Sequence, residues 1–260
     1  MTVILKLDEA RGESKPGATA LLGDAWRLVR ARQGPFLAAL LLVNVAFAAA
    51  IQWARPQADA EAPLAHWSYE VLTAAVTALL TAFALRLFLA PESRWWRLDR
   101  SLARGVAALT TASLAVTAAD ALGQYMHRGP ASVLHGLALQ VPVWGFCATL
   151  MLWPVGLLIE DGEMSQHRSV ILMRGNVRAY VVAYLLLLVG LIVAAGVVAV
   201  PATALHIKPA NMGRELWLPF GLVFGAFAIA QTALWAALYQ SRTAVRAAGP
   251  LNLSGRAAAE

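Results

Sequence analysis

The chain has 260 residues, of which 59% are hydrophobic and 14% charged, whereas soluble domains hold about 45–50% apolar and about 25% charged residues. The excess falls in uninterrupted blocks of roughly 19–23 residues, the length a helix needs to cross about 30 Å of hydrocarbon. The net charge of +6 lies between those blocks rather than in one stripe or patch. That placement argues for topology signals and against a nucleic-acid partner.

In chain order, residues 1–34 are mixed polar, with Gly12, Pro16 and Gly17 breaking early order. Asp24 is a candidate cap for a short amphipathic surface helix, Ala25 to Arg32, with Trp26 and Val29 at the membrane surface. The basic run Arg27 to Arg32 before the apolar Phe36 to Ala50 imitates a cleaved signal peptide. The long polar lead and long apolar block favour a retained helix instead. The first span is expected at 35–54, opened by Pro35. The second is expected at 69–90, before Pro91, and the third at 104–122, ending at Gly123. The fourth should cover 137–159, the fifth 179–200, ended by Pro201, and the sixth 217–240. The chain then divides into a cytoplasmic N-terminal segment with a surface helix (1–34), a six-helix transmembrane domain (35–240) and a disordered cytoplasmic tail (241–260). The single cysteine, Cys147, lies inside an apolar block and reads as a core thiol.

Orientation follows from Lys and Arg. Seventeen lie in the N-terminal segment, between the second and third spans (Arg86 to Arg104), at Arg168, Arg174 and Arg178, and in the tail. The opposite side holds four: Arg55, Arg128, Lys208 and Arg214. This positive-inside bias predicts six spans with both termini cytoplasmic. Trp53, Trp67 and Trp217 fall at outer helix ends and Trp26, Trp95 and Trp96 at inner ones, as in an interfacial belt. Trp144 and Trp153, inside the fourth span, do not fit it. A Leu-x-Arg step at Leu28/Arg30, Leu102/Arg104 and Leu172/Arg174 recurs after 74 and 70 residues. Each copy is followed by a helical hairpin, a pattern consistent with threefold duplication or with chance. The expected architecture is therefore all-α and polytopic, with six transmembrane helices as three hairpins and short basic amphipathic helices on the cytoplasmic face.

The most distinctive stretch reads Trp153-Pro154-Val155, Glu160-Asp161-Gly162-Glu163, then Ser169-Val170-Ile171-Leu172-Met173-Arg174-Gly175-Asn176 before a long apolar run. With Ala25-Trp26-Arg27-Leu28-Val29-Arg30 and Ala237-Leu238-Tyr239, it resembles the six-helix bacterial inner-membrane family found alone or fused to glycerophosphodiester phosphodiesterases, and the related YciC-like proteins. Val170 stands where that family's pattern has Trp. The resemblance implies a bacterial inner-membrane module without a catalytic centre of its own. The phosphodiesterase activity does not carry over, because it needs a soluble metal-binding barrel for which this chain has no segment.

Arg168, Arg174 and Arg178 are candidate lipid-headgroup contacts, each worth about 1 kcal/mol against an anionic leaflet. Val170, Ile171 and Met173 are expected to dip into the interface beside them, with Gly175 permitting the turn and Asn176 capping the fifth span. A plain re-entry linker is the alternative. Asn44 and Gln231 are candidate intramembrane polar contacts, either to neighbouring helices or to a substrate. Arg86 is expected to snorkel to the inner surface. Thr73, Thr77 and Thr81, and Gly221-x-x-x-Gly225, form small-residue faces for close helix approach. Pro142 and Pro154 predict a bent or broken fourth helix.

Four histidines, His66, His127, His135 and His206, fall in the outer loops, and with nearby carboxylates they are candidate metal ligands. Interfacial or pH-sensing histidines are the alternatives. Glu160, Asp161 and Glu163 face Arg168 and Arg174 as expected ion pairs or a weak cation site. Catalytic triads, phosphate-cradling Gly loops and paired carboxylates are not evident. The expectation is a non-enzymatic membrane protein without a cofactor, whose partners are membrane lipids and other membrane-protein subunits. Its role would be to organise envelope lipids or proteins. A lipid or small-molecule transporter and an accessory subunit of a larger complex are the alternatives.

Overall fold

A computed structural model describes residues 17–32, 34–54, 63–90, 95–126, 132–204 and 216–243. Among these every regular element is a helix: α1 (Ala18–Ala31), α2 (Pro35–Ala54), α3 (Pro63–Leu89), α4 (Arg100–Met126), α5 (Ser132–Leu150), α6 (Leu152–Ile159), α7 (Gln166–Arg174), α8 (Val177–Ala204) and α9 (Trp217–Arg242). Five are long and apolar enough to cross a membrane, with Val141–Ile159 counted as one span. The number rises to six if α1 and α2, bent by 108°, form one broken span. The chain is thus an all-helical, multi-pass membrane protein. The expected segment 1–16 and tail 244–260 lie outside the described residues.

Proline chemistry explains several of the boundaries. Pro35 and Pro63 each open a helix, where a missing N–H costs nothing. Pro154 has no N–H to offer the carbonyl of Leu150 and its ring crowds that carbonyl, so the fourth expected helix breaks at Met151 between α5 and α6. Pro142 sits inside α5 without interrupting it. Pro201 does not end the fifth expected helix as anticipated, because α8 continues one turn to Ala204.

Packing is uneven along the bundle axis. The windows of α3 and α9 are each 50% buried while that of α8 is 6% buried, so α3 and α9 form the core and α8 faces outward. Leu85, Phe88, Leu152, Leu158, Leu234, Leu238 and Tyr239 are fully buried, and all lie toward the basic end. Toward the other end Leu72, Val193, Val197 and Leu218 are exposed. Lipid covers such side chains as well as Leu does, so that end gains little from closing.

α9 is the organising helix, touching α1, α2, α3, α6 and α8. α2 leans mainly on α9 and less on α3, its expected hairpin partner. The Gly221/Gly225 face accounts for that contact. A Cβ on Gly221 would meet Val45 Cγ1 at 3.0 Å, and one on Gly225 would meet Leu41 Cδ1 at 3.1 Å. The threonine stripe is displaced by one residue from the packed face of α3. Ala74, Ala78 and Ala82 are buried, while Thr77 is exposed and Thr73 and Thr81 are half-buried. Alanine permits the closer approach.

A polar clamp and a cleft at the basic end

The chemistry of the described residues concentrates where α1, α7, the C-termini of α3, α6 and α9, and the N-termini of α4 and α8 meet. Arg86 was expected to snorkel; instead it is 2% exposed. Its Nε donates to the carbonyl of Leu158 (2.9 Å) and its Nη1 to that of Arg97 (2.7 Å). Its Nη2 donates to Asp99 Oδ1 (2.5 Å) and to Ser101 Oγ. Snorkelling is unnecessary where a guanidinium finds this many acceptors inside the protein.

Asp99 serves two purposes. Its Oδ1 accepts from the Leu102 N–H (2.9 Å), capping α4, and from the Ser101 hydroxyl (2.7 Å). Burial opposes the charged form of Asp99. Hydrogen bonds from Arg86, the Leu102 N–H and Ser101, with the Arg86 charge, outweigh it and hold the carboxyl well below the usual carboxylate range.

A second layer ties the amphipathic helices to the bundle. α7 opens with Ser165, whose hydroxyl accepts from the Arg168 N–H (3.1 Å). Ser169, fully buried, donates to the carbonyl of Thr149 (2.9 Å). That carbonyl lies beside the break at Met151, so the hydroxyl satisfies backbone polarity at the break. Met173 is fully buried as well, against the expectation that it enters lipid. Asn176 does not cap α8 with its side chain. Its Nδ2 donates to the Leu172 carbonyl (2.6 Å), and its Oδ1 accepts from Arg242 on α9. Tyr239 donates to Asp161 Oδ2, which joins the end of α9 to the turn after α6. That turn passes through Glu160 at φ 61°, with the Asp161 N–H bonded to the Gly156 carbonyl (2.9 Å).

Of the three candidate headgroup arginines, Arg168 is taken up by Glu163 (2.6 Å), so the expected ion pair forms there and lowers its availability to lipid. Arg174 and Arg178 are exposed. So are Arg27, Arg30, Arg97, Arg100 and Arg104, beside Trp26 and Trp96 (59% each) and Leu98 (82%). Arg30 lies over the Trp26 ring at 5.7 Å. α1 itself is docked on the end of α9 by Leu21, Ala25 and Leu28, all buried.

Asn44 makes no interhelical bond of the expected kind. Its Nδ2 turns back to the Leu40 carbonyl (2.8 Å) on its own helix. Gln231 is half-buried, and the structure does not bring the two amides into one hydrogen-bonded pair. Cys147 is a free, half-buried thiol rather than a fully buried one. His127 and His206 lie outside the described residues, as do the side chains of His66 and His135. Trp144 departs from the interfacial belt because it joins an aromatic cluster. Its ring lies 6.4 Å from Tyr180 and 5.7 Å from Tyr184, and Trp235 Nε1 donates to the Tyr180 hydroxyl (2.8 Å).

No family model, curated protein or solved structure matches the chain. Its chemistry is therefore read from its own residues. Sequence reasoning passed over the Arg86–Asp99–Ser101 clamp, although two signals for it were present. An ionisable residue inside an apolar run is exceptional, and Asp three residues before Leu102 is an N-cap pattern. Gln240, which borders a cleft between α1 and α9, carried no sequence signal at all.

Proposed function

We propose that the chain is a non-enzymatic module of the bacterial inner membrane that organises anionic lipids, or proteins bound with them, at its basic face. In this reading it has six spans in three hairpins, and both termini are cytoplasmic. The observation that carries it is the number of exposed arginines at the basic end, Arg97, Arg100, Arg104, Arg174 and Arg178, together with exposed Trp26, Trp96 and Leu98. Arginine at headgroup level attracts anionic lipid, and exposed Trp and Leu beside it enter the interface. The buried Arg86 clamp supports the reading by tying α3, α4 and α6 together at that end. The residues resembling the six-helix family, from Trp153 to Asn176, fall at the same end, which is in keeping with it.

Reconstitution in nanodiscs of mixed phosphatidylglycerol and phosphatidylcholine tests it. Anionic lipid should be enriched around the protein and the enrichment should weaken with salt; an unbiased lipid shell overturns the reading. Labelling of engineered cysteines from either side of the membrane tests the orientation, and an outward-facing basic end would reverse it.

A second reading, an accessory subunit of a membrane complex, is favoured by one observation. α8 is only 6% buried over its candidate span, so it has apolar surface to offer another protein. Stoichiometric co-purification after mild extraction would support this reading, and a lone chain would count against it.

A further inference from the structure

We propose that the cleft between α1 and the last turn of α9 binds a phosphate group. The cleft holds about 240 Å³ and is lined by Asp24, Arg27 and Leu28 from α1 and by Ala237, Gln240 and Ser241 from α9. Its polar groups are unevenly matched. Gln240 Nε2 is buried and has no hydrogen-bond partner among the described residues. The Ser241 hydroxyl is already directed to the Leu238 carbonyl (2.8 Å). Arg27 donates to Asp24, yet its side chain is 69% exposed, and a guanidinium has five N–H groups to place.

The cleft therefore holds a desolvated, unpartnered donor beside an ion pair whose guanidinium keeps N–H groups to spare. Buried donors are ordinarily paired, and an anionic oxygen cluster completes an amide and a guanidinium together through charge-assisted bonds. A lone water would serve Gln240 but would not use the guanidinium N–H groups of Arg27 that its pair with Asp24 leaves over. Leu28 and Ala237 add an apolar floor suited to the carbon arm of a phosphate ester. Position agrees with this: Gln240 and Ser241 end the apolar span Trp217–Arg242, and Trp26 beside Arg27 is 59% exposed, as interfacial Trp is.

The ligand is thus the phosphate of an interfacial phospholipid or free phosphate, which share this chemistry. The lipid arm rests on the reading above, that the basic end lies at headgroup level. The free-phosphate arm does not.

The full-length protein in mild detergent is titrated separately with short-chain phosphatidylglycerol and with inorganic phosphate, and complexes are counted by native mass spectrometry. The wild type should form a saturable one-to-one adduct. Arg27→Gln and Gln240→Leu should each weaken it about tenfold, the loss expected for one charge-assisted hydrogen bond. Arg27→Lys should keep part of the affinity, since it retains the charge but not the fork. Binding of the lipid alone, or of inorganic phosphate alone, assigns the source; binding of both supports a shared phosphate site. Should Gln240→Leu fail to fold, Arg27→Gln, at an exposed position, carries the test. The proposal is overturned if the wild type binds neither probe, or if the variants that fold bind as tightly as the wild type. Lipid enrichment in nanodiscs, measured on the same variants, separates the two ideas. Intact enrichment without the adduct sinks the cleft alone, whereas lost enrichment in the wild type sinks the module reading.

Discussion

Arg86 and Asp99 meet through a 2.5 Å contact between Nη2 and Oδ1, and the same carboxylate oxygen caps α4. One carboxylate thereby sets the start of a helix and neutralises a guanidinium that would otherwise be a buried, uncompensated charge. With its bonds to Leu158 and Arg97, Arg86 links α3, α4, α6 and the segment before α4 in a single node.

Removing both partners of that node should cost less than the two single losses added together. Arg86→Ala should destabilise the protein by about 3–5 kcal/mol, the range for removing one partner of a buried pair. Asp99→Ala should cost less, because its side chain is 36% exposed and solvent screens part of the interaction. The double variant should fall well short of the sum of the two. A double-mutant cycle on unfolding in detergent measures the coupling, and additive losses would show that the two side chains do not act together.

Acid should loosen the same node. The carboxyl of Asp99 sits below its ordinary value in the folded protein. It therefore contributes stability that is complete above the unfolded value, about 3.9, and is lost as pH falls from there toward the folded value. Melting temperature recorded between neutral pH and about pH 3 should drop more steeply for the wild type than for Asp99→Asn. Parallel curves would assign the acid loss to other groups.

Glycines in this chain should divide by position. A Cβ on Gly156 would lie 2.4 Å from Met164 Cβ, and one on Gly105 would lie 2.3 Å from Leu158 Cδ2. Met164 Cβ cannot swing aside as the end of a side chain can, so Gly156→Ala should cost about 1–3 kcal/mol by overpacking and Gly105→Ala somewhat less. Gly190 and Gly196 meet nothing within 4 Å. Their alanine variants should be neutral or more stable, by up to about 1 kcal/mol each from helix propensity. Thermal unfolding of the four variants checks the ranking; similar effects at all four would refute it.

The basic face should respond to charge rather than shape. Replacing Arg97, Arg100 and Arg104 together by Gln should lower anionic-lipid enrichment by roughly 1 kcal/mol per charge at low salt. The difference should shrink as ionic strength shortens the screening length. Arg168→Gln should do less, because Glu163 already pairs with that side chain. Lipid counting in nanodiscs at two salt concentrations reads both effects, and equal losses from Arg168 and the exposed arginines would contradict them.

How much of this was legible in the chain depends on the range of the interaction. Spans declare themselves locally, since a helix in lipid must satisfy its own backbone and present apolar side chains over its whole length. Pro35, Pro63 and Pro154 mark boundaries through the geometry of one residue. Burial partners are not local. Nothing in an apolar run distinguishes Ala74 from Thr73 as the packed face, or shows that α9 rather than α3 receives α2. Nor does it show that α8 stays outside, because lipid and protein solvate such side chains almost equally. For the same reason Arg86 looks like a snorkelling residue until Leu158, Arg97, Asp99 and Ser101 are brought around it. Gln240 looks like an ordinary helix-end amide until α1 folds back through 108° and closes one side of its cleft. Composition and periodicity by themselves determined that this is a helical membrane protein and roughly where its helices run. Which polar groups pair inside it, and that Gln240 Nε2 finds no partner among the described residues, was decided only when helices far apart in sequence came together.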